Sequence, residues 1–388
     1  LRITGARIFL IRSGRFHPVL LELQTDEGIT GLGEAGIAYG MGGTAAAGML
    51  KDFCESMVMG RDPFRIEELW SEMYDHSFWA KGGGPIVFAA ISAIETALWD
   101  IKGKALVVPV HEFLGGRFRD TVPVYANGWC SGTATPAEFA RAGARPVEQG
   151  FGALKCYPLG VRSQSGAMRH VSRRAIDREA ADLAFAKVKA LRDAIGPGPR
   201  LFLDISGGLT TEESIRLIRR WEELDIWYVE EPADPFDIEA VKTIHAKTDT
   251  PIALGERLYT RHDFRRVFES GAVALAQPDI GNTGGIMEVK KIAAMAEAYN
   301  MRIQPHVCGS AVAMAAALQI DACIPNLLIQ ECYPYMAEEP SHVHVVHEVP
   351  ERTIRDGMIR IPTGPGLGVT LNEPAVAPFQ WAAVGAAG

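Results

Sequence analysis

The chain has 388 residues, 47% apolar and 22% charged, an ordinary globular composition long enough for two domains. Its net charge of −8 argues against a general binder of the nucleic-acid backbone, which normally shows a basic face. No unbroken apolar run approaches the ~20 residues a membrane helix needs, so no membrane partner is expected.

The first residues, "LRITGARIFLIRSG", alternate like a strand and lack the continuous apolar centre of a leader peptide. "ARIFLIRS" and "VLLELQTDEGITGLGEA" read as strands joined by Gly-rich turns. From about Ile66 to Leu106 the pattern becomes helical, with "PIVFAAISAIETALWDIKGKAL" spacing its apolar residues for a helix and Pro85 near its start. Residues 1–120 therefore form an α+β unit. The six cysteines include no C-x-x-C pair, so a zinc ribbon or dithiol redox site is not expected, and the default setting is reducing and cytoplasmic.

After "GGRFRDTVPVYANG" the pattern changes. Short apolar runs alternate with helical segments: "VPVYANG", "ALKCYP", "LFLDIS", "WYVEEP", "IALGE", "ALAQPDI", "RIQPHV" and "LLIQE". Helices such as "TEESIRLIRRWEEL" fill the gaps. Eight such units predict an α/β fold with a (β/α)8-type, TIM-like barrel over residues 121–350, with an open doubly wound sheet as the alternative. Residues 351–388 carry no further unit and are expected to return to the N-terminal part.

Polar residues close these runs at a steady interval. Asp204 to Glu230 is 26 residues, Glu230 to Glu256 is 26, Glu256 to Asp279 is 23, Asp279 to His306 is 27 and His306 to Glu331 is 25. In such barrels reactive groups come from the C-terminal strand ends. Asp204, Glu230 and Glu256 should then converge. Two bare carboxylates ~4 Å apart repel by ~4 kcal/mol at an effective dielectric near 20, so either some are protonated or a cation sits among the three. All-oxygen donors favour a hard ion that keeps open positions, Mg2+ (magnesium) first. Glu231, next in line, should turn away, either to support the ligands from behind or to pair with a basic residue.

Lys155 and Tyr157 share one face of the second strand by period-2 alternation. Asp279 and His306 end neighbouring strands, where the carboxylate can orient the imidazole, and Glu331 ends the eighth. A cation flanked by a Lys on one side and a His–Asp pair on the other points to removal of a proton next to a carboxylate.

With these residues in place the sequence resembles the enolase superfamily, mandelate racemase-like subgroup. The resemblance rests on "AISAIETALWDIKGKALVVPVHEFLGG", "LDIS", "VEEP", "LGE", "QPDIGNTGGI" and "PHVCGS" and covers nearly the whole chain. A Lys or His base beside Mg2+ is a known pattern of that superfamily. The resemblance implies an N-terminal α+β capping domain completed by the C-terminal tail, with Asp204, Glu230 and Glu256 as metal ligands and Asp279–His306 as a catalytic dyad. Many members carry Lys-x-Lys on the second strand. Here the triplet is Lys155, Cys156, Tyr157, and Ser206 stands two residues after the first ligand. The Lys-x-Tyr-Pro run resembles the sugar-acid dehydratases.

The implied reaction is dehydration of an aldonate or aldarate through a metal-stabilised enediolate. Lys155 or His306 takes the α-proton, and a protonated Glu331 hydrogen-bonds the enolate oxygen. Residues 15–17 and 39–43 are expected to close the pocket. The alternatives are a racemase, epimerase or cycloisomerase of a hydroxy acid or lactone, and a silent barrel used as a binding scaffold. A small-molecule acid is the expected partner, and the resemblance implies a homo-oligomer. From Lys155 to Asp204 the chain runs 49 residues, about twice the usual unit. The excess, "LGVRSQSGAMRHVSRRAIDR", carries Arg162, Arg169, Arg173, Arg174 and Arg178 and reads as a solvated excursion or as a basic lid.

Overall fold

The computed structural model describes residues 1–12, 14, 16–162, 168–170, 176–336 and 342–385. Three strands, β1 (Ile3–Leu10), β2 (Val19–Thr25) and β3 (Thr30–Ala35), are followed by helices α1 (Gly43–Phe53), α2 (Ile66–His76) and α3 (Gly84–Leu106). The strands pair antiparallel, Ile8 opposite Leu21 and Leu21 opposite Gly33. Helix α3 lies against β3, and glycine permits the approach: a Cβ at Gly33 would stand 1.9 Å from the Ala93 carbonyl oxygen.

That helix corrects one expectation. At 23 residues it is long and apolar enough to cross a bilayer, although no unbroken apolar run is that long. Ser92, Glu95, Thr96 and Asp100 interrupt it, and 83% of its most apolar window is buried inside the protein.

The barrel starts at β4 (Thr121–Ala126) and continues through α4 (Pro136–Glu148), β5 (Ala153–Cys156), a hairpin of β6 (Gly160–Arg162) and β7 (Met168–His170), and α5 (Arg178–Ile195). Then come β8 (Arg200–Asp204), α6 (Thr211–Trp221), β9 (Ile226–Glu230), α7 (Ile238–His245), β10 (Ile252–Leu254) and α8 (Thr260–Ser270). The last units are β11 (Leu275–Ala276), α9 (Ile280–Thr283), α10 (Ile286–Ala298), β12 (Arg302–Ile303), α11 (Ala311–Cys323) and β13 (Gln330–Cys332).

The barrel strands are parallel neighbours in chain order, and β13 returns to pair with β4, Glu331 opposite Tyr125. A bridge between Ile303 and Leu327, with Leu328 N–H donating to the Ile303 carbonyl at 2.8 Å, joins the remaining gap. An open doubly wound sheet would have its last strand at an edge; here it meets the first.

Helix starts follow their sequence signals. Thr135 and Glu138 form a capping box at α4, and Thr210 and Asp177 cap α6 and α5. The tail divides. Its strand β14 (Met358–Arg360) pairs antiparallel with β4, Ile359 opposite Val122. After the short helix α12 (Glu373–Val376), β15 (Gln380–Gly385) adds to the edge of β1, completing the four-stranded N-terminal sheet.

Inside the barrel, period-2 alternation sorts side chains by depth. Tyr125, Ala153, Phe202, Tyr228, Ala253, Leu275 and Ile329 form a separate apolar layer, in which the Phe202 and Tyr228 rings stack 4.3 Å apart. Gln304 satisfies both phenols of that layer, accepting from Tyr228 at 2.7 Å and donating to Tyr125 at 2.9 Å. Two residues further along each strand come Asn127, Lys155, Asp204, Glu230, Gln277, His306 and Glu331. The apolar layer is the floor on which the polar set stands.

Candidate active site

One oxygen each from Asp204, Glu230 and Glu256 can be chosen so that all three lie within 4.8 Å of one another. Asp204 and Glu230 sit at the last positions of β8 and β9 and are buried. Glu256 lies beyond the end of β10, after Gly255, where a Cβ would meet the Gln277 backbone at 2.5 Å. That glycine breaks the two-residue period and turns Glu256 toward the other two. Ser206 holds Asp204 Oδ1 through its backbone N–H at 2.8 Å and its hydroxyl at 3.0 Å. Gln277 donates to Glu230 Oε2 at 2.7 Å. Lys155 and Gln277 engage both oxygens of Glu230, yet one oxygen from each of the three acids still lies near the other two, and a hard divalent cation fits such a largely buried all-carboxylate set.

Glu231 leaves β9 in the left-handed region, φ 44°, and is fully buried. Its carboxylate meets the Arg257 guanidinium, whose Nε donates at 3.0 Å, so the expected basic partner is Arg257.

Lys155 is fully buried, with Nζ 2.7 Å from Glu230, 3.2 Å from Glu331 and 3.7 Å from Asp204. Burial opposes its charge, but Glu230 and Glu331 raise its pKa well above the ordinary lysine value. Burial also pushes Glu230 up, while Lys155 pulls it down. Lys155 Nζ donates to Glu230 Oε1 at 2.7 Å, and burial still brings the Glu230 pKa up to about 8.

His306 Nδ1 stands 2.6 Å from Asp279 Oδ2, and Asp279 Oδ1 accepts from Gly281 N–H at 2.7 Å. His306 Nε2 lies 3.2 Å from Glu256 and 3.7 Å from Glu331. Burial lowers the imidazole pKa, but Glu331, Glu256 and Asp279 outweigh it and bring it to about 10.

Glu331 differs from expectation. Burial pushes its pKa up, yet Lys155, His306 and the Asn127 amide together hold it below the ordinary glutamate value. It accepts from Asn127 Nδ2 at 2.6 Å and from Val307 N–H at 3.2 Å. Glu331 is therefore an ionised acceptor and not a protonated donor.

These groups meet a cavity of about 390 Å³. Tyr157, Asp204, Glu256 and His306 line it, together with Arg257 and Tyr333. Lys155 stays beneath them. Of the two expected rim segments, Phe16 and Tyr39 contribute to the wall, while His17 and residues 40–43 line a separate hollow with Arg12. Arg15, Arg173 and Arg174 lie outside the described residues, as do the side chains of Arg162 and Arg169. Arg178 is exposed at the start of α5, 3.7 Å from Asp182. Gly160 of the hairpin lines the cavity.

Alternation from identified strands would have found three residues that motif reading missed: Asn127 two after Tyr125, Gln277 two before Asp279, and Tyr333 two after Glu331. Asn127 joins two of these strands, its Nδ2 also lying 2.9 Å from the Tyr333 hydroxyl.

A closed parallel barrel under an α+β cap, with carboxylates on three successive strands and a His–Asp pair across the mouth, is the layout of the enolase superfamily. The chain belongs to its mandelate racemase/muconate lactonizing enzyme group. Residues 138–375 match the enolase C-terminal domain-like family, and residues 13–115 match the mandelate racemase/muconate lactonizing enzyme N-terminal domain. It is 39% identical over 364 residues to a D-galactonate dehydratase of Variovorax paradoxus (strain S110), covering 92% of this chain and 90% of that protein. A D-galactonate dehydratase of Pectobacterium atrosepticum is 35% identical over 382 residues, covering 95% and 93%. Among solved structures, an enolase superfamily member from Salmonella Typhimurium superposes with a TM-score of 0.93 at 34% identity, covering 99% of each chain.

Proposed function

We propose that this chain is a hydro-lyase that dehydrates a sugar acid, an aldonate or an aldarate. The observation that carries the reading is the shared cavity: His306, oriented by Asp279, faces the same space as Asp204 and Glu256, with Tyr157 also on its wall. Asp204, Glu230 and Glu256 would hold Mg2+, which when bound draws in the substrate carboxylate and acidifies the adjacent C–H.

The chain's own groups supply the proton chemistry. His306 Nε2 takes the α-proton, and Asp279 fixes the tautomer that leaves Nε2 as the base. The imidazolium then returns that proton to the departing β-hydroxyl, which leaves as water. The substrate loses H from one carbon and OH from the next, and the enol so formed becomes a 2-keto-3-deoxy acid. Coordination of Glu256 would withdraw one of the charges that hold His306 protonated and so move the imidazole toward its neutral form. Lys155 keeps the carboxylates together from below. Glu331 holds Lys155 and His306 in place as an anion. Tyr157 reaches the substrate from the other side of the mouth.

Cys54, Cys156, Cys308, Cys323 and Cys332 are free thiols, which supports a reducing, cytoplasmic setting. The test is incubation with aldonates and aldarates in deuterated water, with Mg2+ or with chelator. A semicarbazide-reactive 2-keto-3-deoxy product that disappears with chelator supports dehydration. Exchange of the α-proton without that product would make the enzyme an isomerase and refute the reading.

A further inference from the structure

Strand β3 of the N-terminal sheet ends against the two loops that carry the His–Asp pair. Glu34, 3% exposed, accepts from Ser310 N–H at 2.9 Å and Ala313 N–H at 3.2 Å, and also from the Ser310 hydroxyl. Two residues on, Gly36 N–H donates to the Gly281 carbonyl at 2.9 Å, and the Gly36 carbonyl accepts from Asn282 Nδ2 at 2.8 Å. Ser310 caps α11 and follows His306 by four residues, while Gly281 and Asn282 directly follow the Asp279 loop. Gly309 completes the fit: a Cβ there would stand 2.4 Å from Glu34 Oε1.

A helix N-terminus presents backbone N–H groups with no partner inside the helix. At α11 the capping domain supplies the acceptor, a carboxyl group at the positive end of the helix dipole; burial raises its pKa to about 7 against the pull of the Ser310 and Ala313 hydrogen bonds, so the geometry of those bonds, more than charge, carries the contact. Glu34 lies in β3 and Gly36 directly follows its end, so the spacing between the His306 loop and the Asp279 loop is set by one short segment of the other domain.

We propose that Glu34 is a positioning residue for the reaction: it ties the loop after His306 to the segment that also grips the loop after Asp279, and so sets the alignment of imidazole and carboxylate. This rests on His306 acting as the base, as proposed above. Glu34 touches none of the reacting atoms; it acts through Ser310 and Ala313.

The test uses Glu34→Gln, which keeps size and puts an amide donor in place of one accepting oxygen, and Gly309→Ala, which pushes on the same carboxyl group from the opposite side. Both should lower kcat by about tenfold or more, with KM within about twofold, since small misplacements of a reacting group carry costs of that order. Both should also shift or broaden the low-field proton of the His306–Asp279 hydrogen bond, assigned by its loss in His306→Asn. Glu34→Asp should fall between wild type and Glu34→Gln. An unchanged proton resonance and kcat within about twofold of wild type in both variants would overturn the proposal, as would a loss of melting temperature with activity per folded molecule preserved. The resonance is read without substrate. It decides the role of Glu34 even if no sugar acid is dehydrated, a result that would instead refute the reading of the reaction.

Discussion

Replacing Lys155 with Met separates a structural lysine from a catalytic one. Its ammonium lies within 3.7 Å of three buried carboxylates, those of Asp204, Glu230 and Glu331. Removing one partner of a buried ion pair costs ~3–5 kcal/mol, because the opposite charge stays buried and uncompensated. For a domain of this size each kcal/mol shifts the melting temperature by ~2–4 °C, so Lys155→Met should melt roughly 10 °C below wild type in the presence of chelator. A saturating divalent cation replaces the lost positive charge and should recover more stability in the variant than in wild type. Ligand at 100 times its Kd gives ~2.7 kcal/mol, and tighter binding to the more negative site gives more. The assay is differential scanning fluorimetry across a Mg2+ titration, with α-proton exchange measured in parallel. With cation bound, Lys155→Met should retain slow exchange while His306→Asn loses it. Exchange lost in a folded, cation-binding Lys155→Met, with exchange retained in His306→Asn, would assign the base to Lys155 and refute the reasoning.

The His306 imidazole is raised to about 10 in the folded chain against ~6.5 unfolded, so the folded state binds the extra proton between those values. Its stabilisation is complete below pH ~6.5 and is lost as pH rises through about 10. Urea unfolding of wild type and His306→Asn in chelator should show their difference shrinking over that window, and a difference that grows would contradict it. Burial raises the Glu231 pKa well above the ordinary glutamate value against the pull of Arg257, whose side chain is 44% exposed, so Arg257→Met should cost only ~1–3 kcal/mol by the same denaturation assay. A change under ~1 kcal/mol would show that Glu231 is already neutral. Tyr157→Phe removes a hydroxyl next to the substrate space and should lower kcat by ~10²-fold or more in steady-state assays, while leaving the melting temperature unchanged.

The eight strands were legible because each is a short apolar run closed by a polar residue, and the barrel's depth layering repeats that pattern on every strand. Asp204 and Glu230 follow directly from it. Glu256 was legible from its interval, but not the reason it reaches the site, which is the turn at Gly255. Alternation places Lys155 and Tyr157 on one face without saying how deep each lies. Only the closed barrel shows Lys155 under the carboxylates and Tyr157 at the cavity. The ionisation of Glu331 was misread because burial was visible in "LLIQ", while Lys155 and Asn127 approach from strands far away in sequence. The contacts of Glu34 and Gly36 with residues more than two hundred positions on carry no local pattern at all. Helix α3 was passed over as a bilayer-length segment because its polar residues interrupt the run, and in the fold they meet barrel loops and the tail. Glu95 accepts from Ile286 and Met287 N–H, and Asp100 from Leu367 N–H.

The account stands most directly on a divalent ion shared by Asp204, Glu230 and Glu256. Calorimetric titration with Mn2+ should show one site per chain, weakened at least tenfold by Asp204→Asn, Glu230→Gln and Glu256→Gln individually while each variant stays folded. Binding of unchanged affinity in all three variants, or no binding to the wild-type chain, would contradict it.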